Sequence, residues 1–146
     1  MPHLRAHGLR AIAATALVTG LVTVIAPTIA NADDKLFDMV VTVTNSLAGS
    51  LTMTGFGNNE GQFRTEPELS IGPGGTDMFS TQSTRGSDGT DAHVGYNTPY
   101  GRVTLIWRNP TIGSNTFDCW HPAAISCSYQ ETKTGRNGAV TFTIGP

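Results

Sequence analysis

The chain predicts an all-β protein: one antiparallel two-sheet β-sandwich of about eight or nine strands, carried behind a cleaved export segment. Three observations predict it. Short Thr- and Val-rich runs alternate with Gly, Pro, Asn and Asp along residues 33–146, the punctuation of strands and turns. Several of these runs switch between apolar and polar at every residue, the period of a half-buried strand. Beyond the amino-terminal segment, no stretch carries the apolar period of an amphipathic helix.

At the amino terminus, Arg5 and Arg10 precede a charge-free run over 11–25 rich in Ala, Val, Leu and Ile. Ala30-Asn31-Ala32 then supplies the small-x-small pattern of a signal-peptidase site, followed by acidic Asp33-Asp34. A membrane-spanning helix would need about 20 apolar residues. This run is shorter, with Gly20 and Pro27 in or beside it. The expectation is a signal peptide over 1–32 and a secreted, extracellular domain over 33–146, which is 114 of the 146 residues. That length makes one domain with a modest core. In it seven Lys and Arg face eleven Asp and Glu, a net charge of −4 with no cationic cluster. Phosphate backbones reward clustered cations, so no nucleic acid is expected as a partner. The same sign opposes strongly anionic membranes, so a lipid partner would have a neutral or zwitterionic head group.

The elements follow in order. Met39-Val40-Val41-Thr42-Val43-Thr44 reads as the first strand, stopped by Asn45-Ser46. A short strand over 51–54 sets Leu51 and Met53 on one face and two threonines on the other. Residues 68–71 lead into the turn Gly72-Pro73-Gly74-Gly75, and 76–82 follow as a strand with Phe79 and Thr81 on one face. Residues 82–89 form a polar loop. Ala92, Val94 and Tyr96 share a strand face, with His93 and Gly95 on the other. After a turn at Asn97-Thr98-Pro99-Tyr100-Gly101, the strand over 102–108 aligns Val103, Leu105 and Trp107, and Pro110 ends it by removing a ladder donor. Strands are expected over 115–120 and 126–131. The last, over 139–144, turns Val140, Phe142 and Ile144 inward.

Cys119 and Cys127 are the only cysteines. In an exported protein an even count reads as a disulfide, here closing a short loop around Trp120-His121-Pro122 and stiffening that loop rather than holding the fold. Two free thiols are the alternative. Zinc binding by Cys119, His121 and Cys127 lacks the usual paired spacing.

The stretch 86–117 is more specific. Gly86-x-x-Gly89-Thr90-Asp91-x-x-Val94-x-Tyr96 is followed by Val103-x-Leu105-x-Trp107-x-Asn109-Pro110-x-Ile112-Gly113-Ser114-Asn115-x-Phe117. This pattern resembles the central signature of the aegerolysins, small acidic β-sandwich proteins that include haemolysin-like bacterial members. Val41-x-Val43-x-Asn45 and the closing stretch 135–144 extend the resemblance over most of the exported domain. It implies recognition of membrane lipids and, in some members, cooperation with a larger pore-forming protein.

Five residues are candidate lipid or ligand contacts: Trp120, Tyr96, Tyr100, Trp107 and Arg108. Trp120 stands at the mouth of the cysteine loop, where an amphipathic indole suits a water–lipid boundary; packing against the disulfide is the other reading. Tyr96 and Tyr100 flank a turn and are able to stack on a head group or simply pack that turn. Trp107 is in register with Val103 and Leu105, which favours the core over contact. Arg108, with Arg85 and Arg102, has the chemistry of a phosphate clamp, although scattered, solvated arginines are the commoner case. Asp88-Gly89-Thr90-Asp91 reads as a turn before it reads as a calcium loop.

Catalysis finds little to work with. His93 and His121 are the only histidines beyond the export segment. There is no nucleophile elbow and no metal-binding His-Glu-x-x-His helix. Glu60, Glu66 and Glu68 would need the fold to set two of them at a glycosidase separation. The expectation is therefore a protein without enzymatic activity or cofactor. Two functional readings follow: a secreted membrane-lipid-binding, haemolysin-like protein that needs a partner for lysis, or a secreted module that binds a protein or carbohydrate, such as an inhibitor or cell-surface domain. The charged stretch 33–37 is too short to make an inserting helix, and no long alternating segment is spare for a transmembrane hairpin.

Overall fold

In the computed structural model, residues 36–146 are described, and the signal peptide expected over 1–32 lies outside the described residues. Ten strands form: β1 (Asp38–Asn45), β2 (Leu51–Glu60), β3 (Gln62–Thr65), β4 (Ser70–Ile71), β5 (Thr76–Gln82), β6 (Gly89–Thr98), β7 (Gly101–Pro110), β8 (Thr116–Trp120), β9 (Ser126–Lys133) and β10 (Asn137–Gly145). They make two five-stranded sheets, β3-β5-β1-β10-β9 and β4-β2-β6-β7-β8. The β-sandwich expected from the sequence is the fold observed, with no helix among the described residues.

Alternation builds the core. Met39, Val41 and Val43 of β1 and Val140, Phe142 and Ile144 of β10 point inward from the first sheet. Ala92, Val94 and Tyr96 of β6 and Val103, Leu105 and Trp107 of β7 answer them from the second. Burying each larger apolar side chain contributes about 1.5–3 kcal/mol, so these four strands dominate the packing energy. An aromatic group closes one end of the interior, with Phe63 4.7 Å from Phe56 and 6.0 Å from Trp107 between ring centroids.

Four features depart from the expectation. First, β1 and β10 pair in parallel, with Val41 opposite Val140 and Val43 opposite Phe142; the other ladders are antiparallel. Second, β2 runs on to Glu60 rather than stopping near Thr54. Its second half, Gly55-Phe56-Gly57-Asn58-Asn59, has poor strand propensity, but pairing with β6 overrides that preference. Third, the chain crosses at Gly61 from one sheet to the other and continues as β3, a strand the pattern did not announce. Gly61 has φ 79°, and a side chain there would approach the Gln82 carbonyl oxygen at 2.6 Å, so glycine alone fits the crossing. Fourth, of residues 68–71, which lead into the turn, only Ser70–Ile71 forms a strand.

The cysteines are joined, with Cα atoms 6.2 Å apart. The bridge does more than stiffen a loop. Cys119 lies on β8 of one sheet and Cys127 on β9 of the other, so it ties the two sheets together at their open edges. Phe117, Tyr129 and Phe142 fill the seam beside it, with centroids 5.5–6.4 Å apart.

Polar side chains also link the sheets. Asn109 of β7 donates through Nδ2 to the carbonyl oxygens of Asp38 (2.8 Å) and Arg136 (3.0 Å) across the interior edge. Buried Asn45 donates to Gly49, Ile71 and Gly72 carbonyls and accepts from the Leu47 N–H, fastening the loops at one end of the sandwich.

Candidate functional site

Strand parity decides which candidate residues meet solvent. Tyr96 and Trp107 are wholly buried between the sheets, so neither is a surface contact. Tyr96 follows Ala92 and Val94 inward, and Trp107 follows Val103 and Leu105. Tyr100, Trp120 and Arg108 lie outside.

Trp120 ends β8 on the outer face of the second sheet, 62 % exposed. It does not pack the disulfide: neighbouring Cys119 turns inward, and alternation sends the indole the other way. Asp118, two residues back on the same face, accepts the indole N–H through Oδ2 at 2.7 Å. Its Oδ1 accepts the Cys119 backbone N–H. An exposed tryptophan is thus held in one orientation on a strand anchored by the disulfide.

Tyr100 sits in the two-residue turn between β6 and β7, 53 % exposed. Because β8 returns antiparallel to β7, this turn, the β8–β9 loop and the β1–β2 loop share one end of the sandwich. They interlock closely. A side chain at Gly49 would approach Pro99 at 2.6 Å, and one at Gly101 would approach Pro122 at 2.9 Å. The Thr98 hydroxyl closes the turn, donating to the Gly101 carbonyl and accepting from the Tyr100 N–H. The end carrying Tyr100 and Trp120 is therefore braced rather than loose.

Arg108 projects outward from β7 and pairs with Asp91 at 3.5 Å. Arg102 projects from the same strand six residues away, roughly 20 Å along it. Its guanidinium lies over Gly95. Arg85 belongs to the loop at the opposite end. The three arginines do not converge into a clamp. Gly89-Thr90-Asp91 begins β6 rather than forming a turn, since β6 pairs with β7 from Gly89 onward. Among the described residues no group of three or more His, Cys, Asp or Glu is placed to hold a metal ion. Glu60 closes β2, whereas Glu66 and Glu68 lie in the link between β3 and β4.

Beside Trp120 the outer face carries a groove of about 320 Å³ whose lining includes Asn59, Asp91, His93, Thr104, Ile106 and Trp120. Thr104 pairs across the ladder with Trp120, and Ile106 with both Asp118 and His93. The His93 ring lies over Gly57, where a side chain would approach Cε1 at 3.1 Å. Asn59 donates to Asp91 Oδ1 at 3.2 Å. Sequence reasoning missed this groove. The available signal was Ile106, an apolar residue at the outward parity of a strand whose core face is Val103, Leu105 and Trp107.

No protein-family model matches the chain, and no curated protein matches it in sequence. Among solved structures it is similar to the lipid-binding protein Nakanori. The TM-score is 0.69 at 14 % identity, over 75 % of this chain and 71 % of that one. The likeness establishes the fold. It does so independently of the strand pattern, and at that identity it speaks for the sandwich alone.

Proposed function

We propose that this chain is a secreted, aegerolysin-like protein that binds membrane lipid with a neutral or zwitterionic head group. The end carrying Trp120 and Tyr100 meets the surface, and lysis requires a second, larger pore-forming protein. The observation that carries the reading is Trp120, exposed yet fixed by Asp118 on a disulfide-anchored strand. Tryptophan and tyrosine favour the membrane–water boundary because each joins an apolar ring to a polar tip. Holding the ring in place beforehand reduces the ordering cost on contact. Supporting it are the excess of acids over bases, the sandwich shared with a protein described as lipid-binding, and the aegerolysin-like signature.

Flotation with phosphatidylcholine vesicles, with and without sphingolipid and sterol, tests this. Trp120→Ala and Tyr100→Ala are expected to weaken association. Ile112→Ala, at the opposite end and 89 % exposed, is expected to leave it unchanged. Brominated lipid should quench Trp120 and spare buried Trp107. No association with any composition, or rapid haemolysis by the purified chain alone, would refute the respective half of the reading.

A further inference from the structure

The groove beside Trp120 has a chemistry that lipid contact alone does not explain. Its one carboxylate is already matched: Asp91 faces Arg108 at 3.5 Å and accepts from Asn59 at 3.2 Å. Beside the groove, Asp118 spends its two carboxylate oxygens on the Cys119 and Trp120 N–H groups, so neither carboxylate is without a partner. What remains is the Trp120 indole, the apolar Ile106, the Thr104 hydroxyl, the His93 ring and the Asn59 amide. These groups donate and accept in turn. A volume of about 320 Å³ lies at the small end of ligand sites, which run from about 300 to 1,000 Å³.

A neutral pyranose matches each of these properties. One face of the ring presents C–H groups that stack on an aromatic plane, and its rim carries hydroxyls that both donate and accept. An acyl chain would leave the polar groups unpaired, at about 1–3 kcal/mol for each one buried. An organic cation would find Asp91 engaged by Arg108 and Asn59, and Asp118 by two N–H groups. With the N–H held by Asp118, the Trp120 ring is set as a platform before any ligand arrives.

We infer that this groove binds a single neutral pyranose, stacked on Trp120 and hydrogen-bonded by Thr104, His93 and Asn59. The inference rests on, and deepens, the lipid-binding reading: the pyranose is the head group of a neutral glycolipid. A free glycan presents the same ring, so the test separates the two sources.

The full chain is floated with phosphatidylcholine vesicles with and without a monohexosylceramide, and separately titrated with a soluble methyl pyranoside while the His93 and Trp120 ring resonances are followed. Preference for the glycosylated vesicles, competed by the pyranoside, is the expected result. Thr104→Val and His93→Ala are expected to reduce that preference about tenfold, the loss of about 1.4 kcal/mol, without changing binding to plain phosphatidylcholine. Thr104→Ser, which keeps the hydroxyl, should retain it. Resonance shifts with pyranoside but no vesicle binding would uphold the groove and overturn the lipid reading. Equal binding to both vesicle types with no response to pyranoside would overturn the groove and leave the lipid reading standing. Competition by choline instead of the sugar would also overturn it.

Discussion

The indole N–H of Trp107 donates to the Thr81 hydroxyl at 3.0 Å, joining the largest buried side chain of one sheet to a strand of the other. The Thr90 hydroxyl reaches the same oxygen at 2.8 Å. Two polar groups of the second sheet thus converge on one threonine of the first, deep in a largely apolar interior. Only with such partners do a tryptophan N–H and a threonine hydroxyl sit there without a large desolvation cost.

Thr81→Val keeps the shape and removes the shared oxygen. It leaves the Trp107 N–H and the Thr90 hydroxyl unpaired, so stability is expected to fall by about 1–3 kcal/mol for each buried group stranded. Urea unfolding followed by near-ultraviolet circular dichroism checks this. A change below about 0.5 kcal/mol, the level of an ordinary surface substitution, would mean the two groups find other partners.

Gly89 carries φ 121°, and a side chain there would run into the carbonyl oxygen of Asn109 on the paired strand. Gly113 has φ 103° with nothing near it. Both alanine variants incur the backbone strain of a positive φ, of order 1–3 kcal/mol. Only Gly89→Ala adds the clash, so its melting temperature should fall clearly further than that of Gly113→Ala. Equal losses would show that the strands separate there without cost.

These residues explain how far the sequence could be read. Strands with clean alternation, β1, β5, β7 and β10, were legible because parity and burial coincide. The crossing at Gly61 was not, since a glycine between Glu60 and Gln62 looks like any other turn. Nor were the polar links, because Asn45 and Asn109 read as strand-ending residues until the partner carbonyls are placed. Much of the stretch 86–117 that carries the resemblance lies in this framework: Thr90, Trp107 and Asn109 hold sheet to sheet, and Gly89 permits the close approach of β6 to β7. That is why the resemblance speaks more to architecture than to ligand. Of the site, parity placed Trp107 inside and would have placed Tyr96 there too, following Ala92 and Val94. The groove depended on which strand lies beside which, and that emerges only in three dimensions.

Replacing both cysteines by alanine removes the tie between β8 and β9. For a loop this short the expected loss is about 2–3 kcal/mol, and the sandwich should persist because its core strands lie elsewhere. The seam should loosen locally, so proteolysis is expected to begin within residues 121–125. Denaturant midpoints with and without reductant, with the cleavage sites mapped, check both halves. An unchanged midpoint would make the bridge incidental to stability.

The Tyr96 hydroxyl is buried with no hydrogen-bond partner. Burial first, then the negative charges of Asp77 and Glu68, hold its pKa far above the ordinary 10.0. Above about pH 10 the unfolded chain releases this proton while the folded protein retains it. The contribution of the neutral phenol is therefore complete below that pH and declines as the pH rises, with a slope approaching about 1.4 kcal/mol per pH unit for one proton. Tyr96→Phe should remove that part of the alkaline loss. At neutral pH it should leave stability unchanged or raise it by about 1 kcal/mol, because an unpaired hydroxyl no longer has to be buried. Denaturant titrations of both proteins from neutral to alkaline pH decide the matter, and a marked loss at neutral pH would mean that the hydroxyl has a partner in solution, such as a buried water between Tyr96 and Asp77.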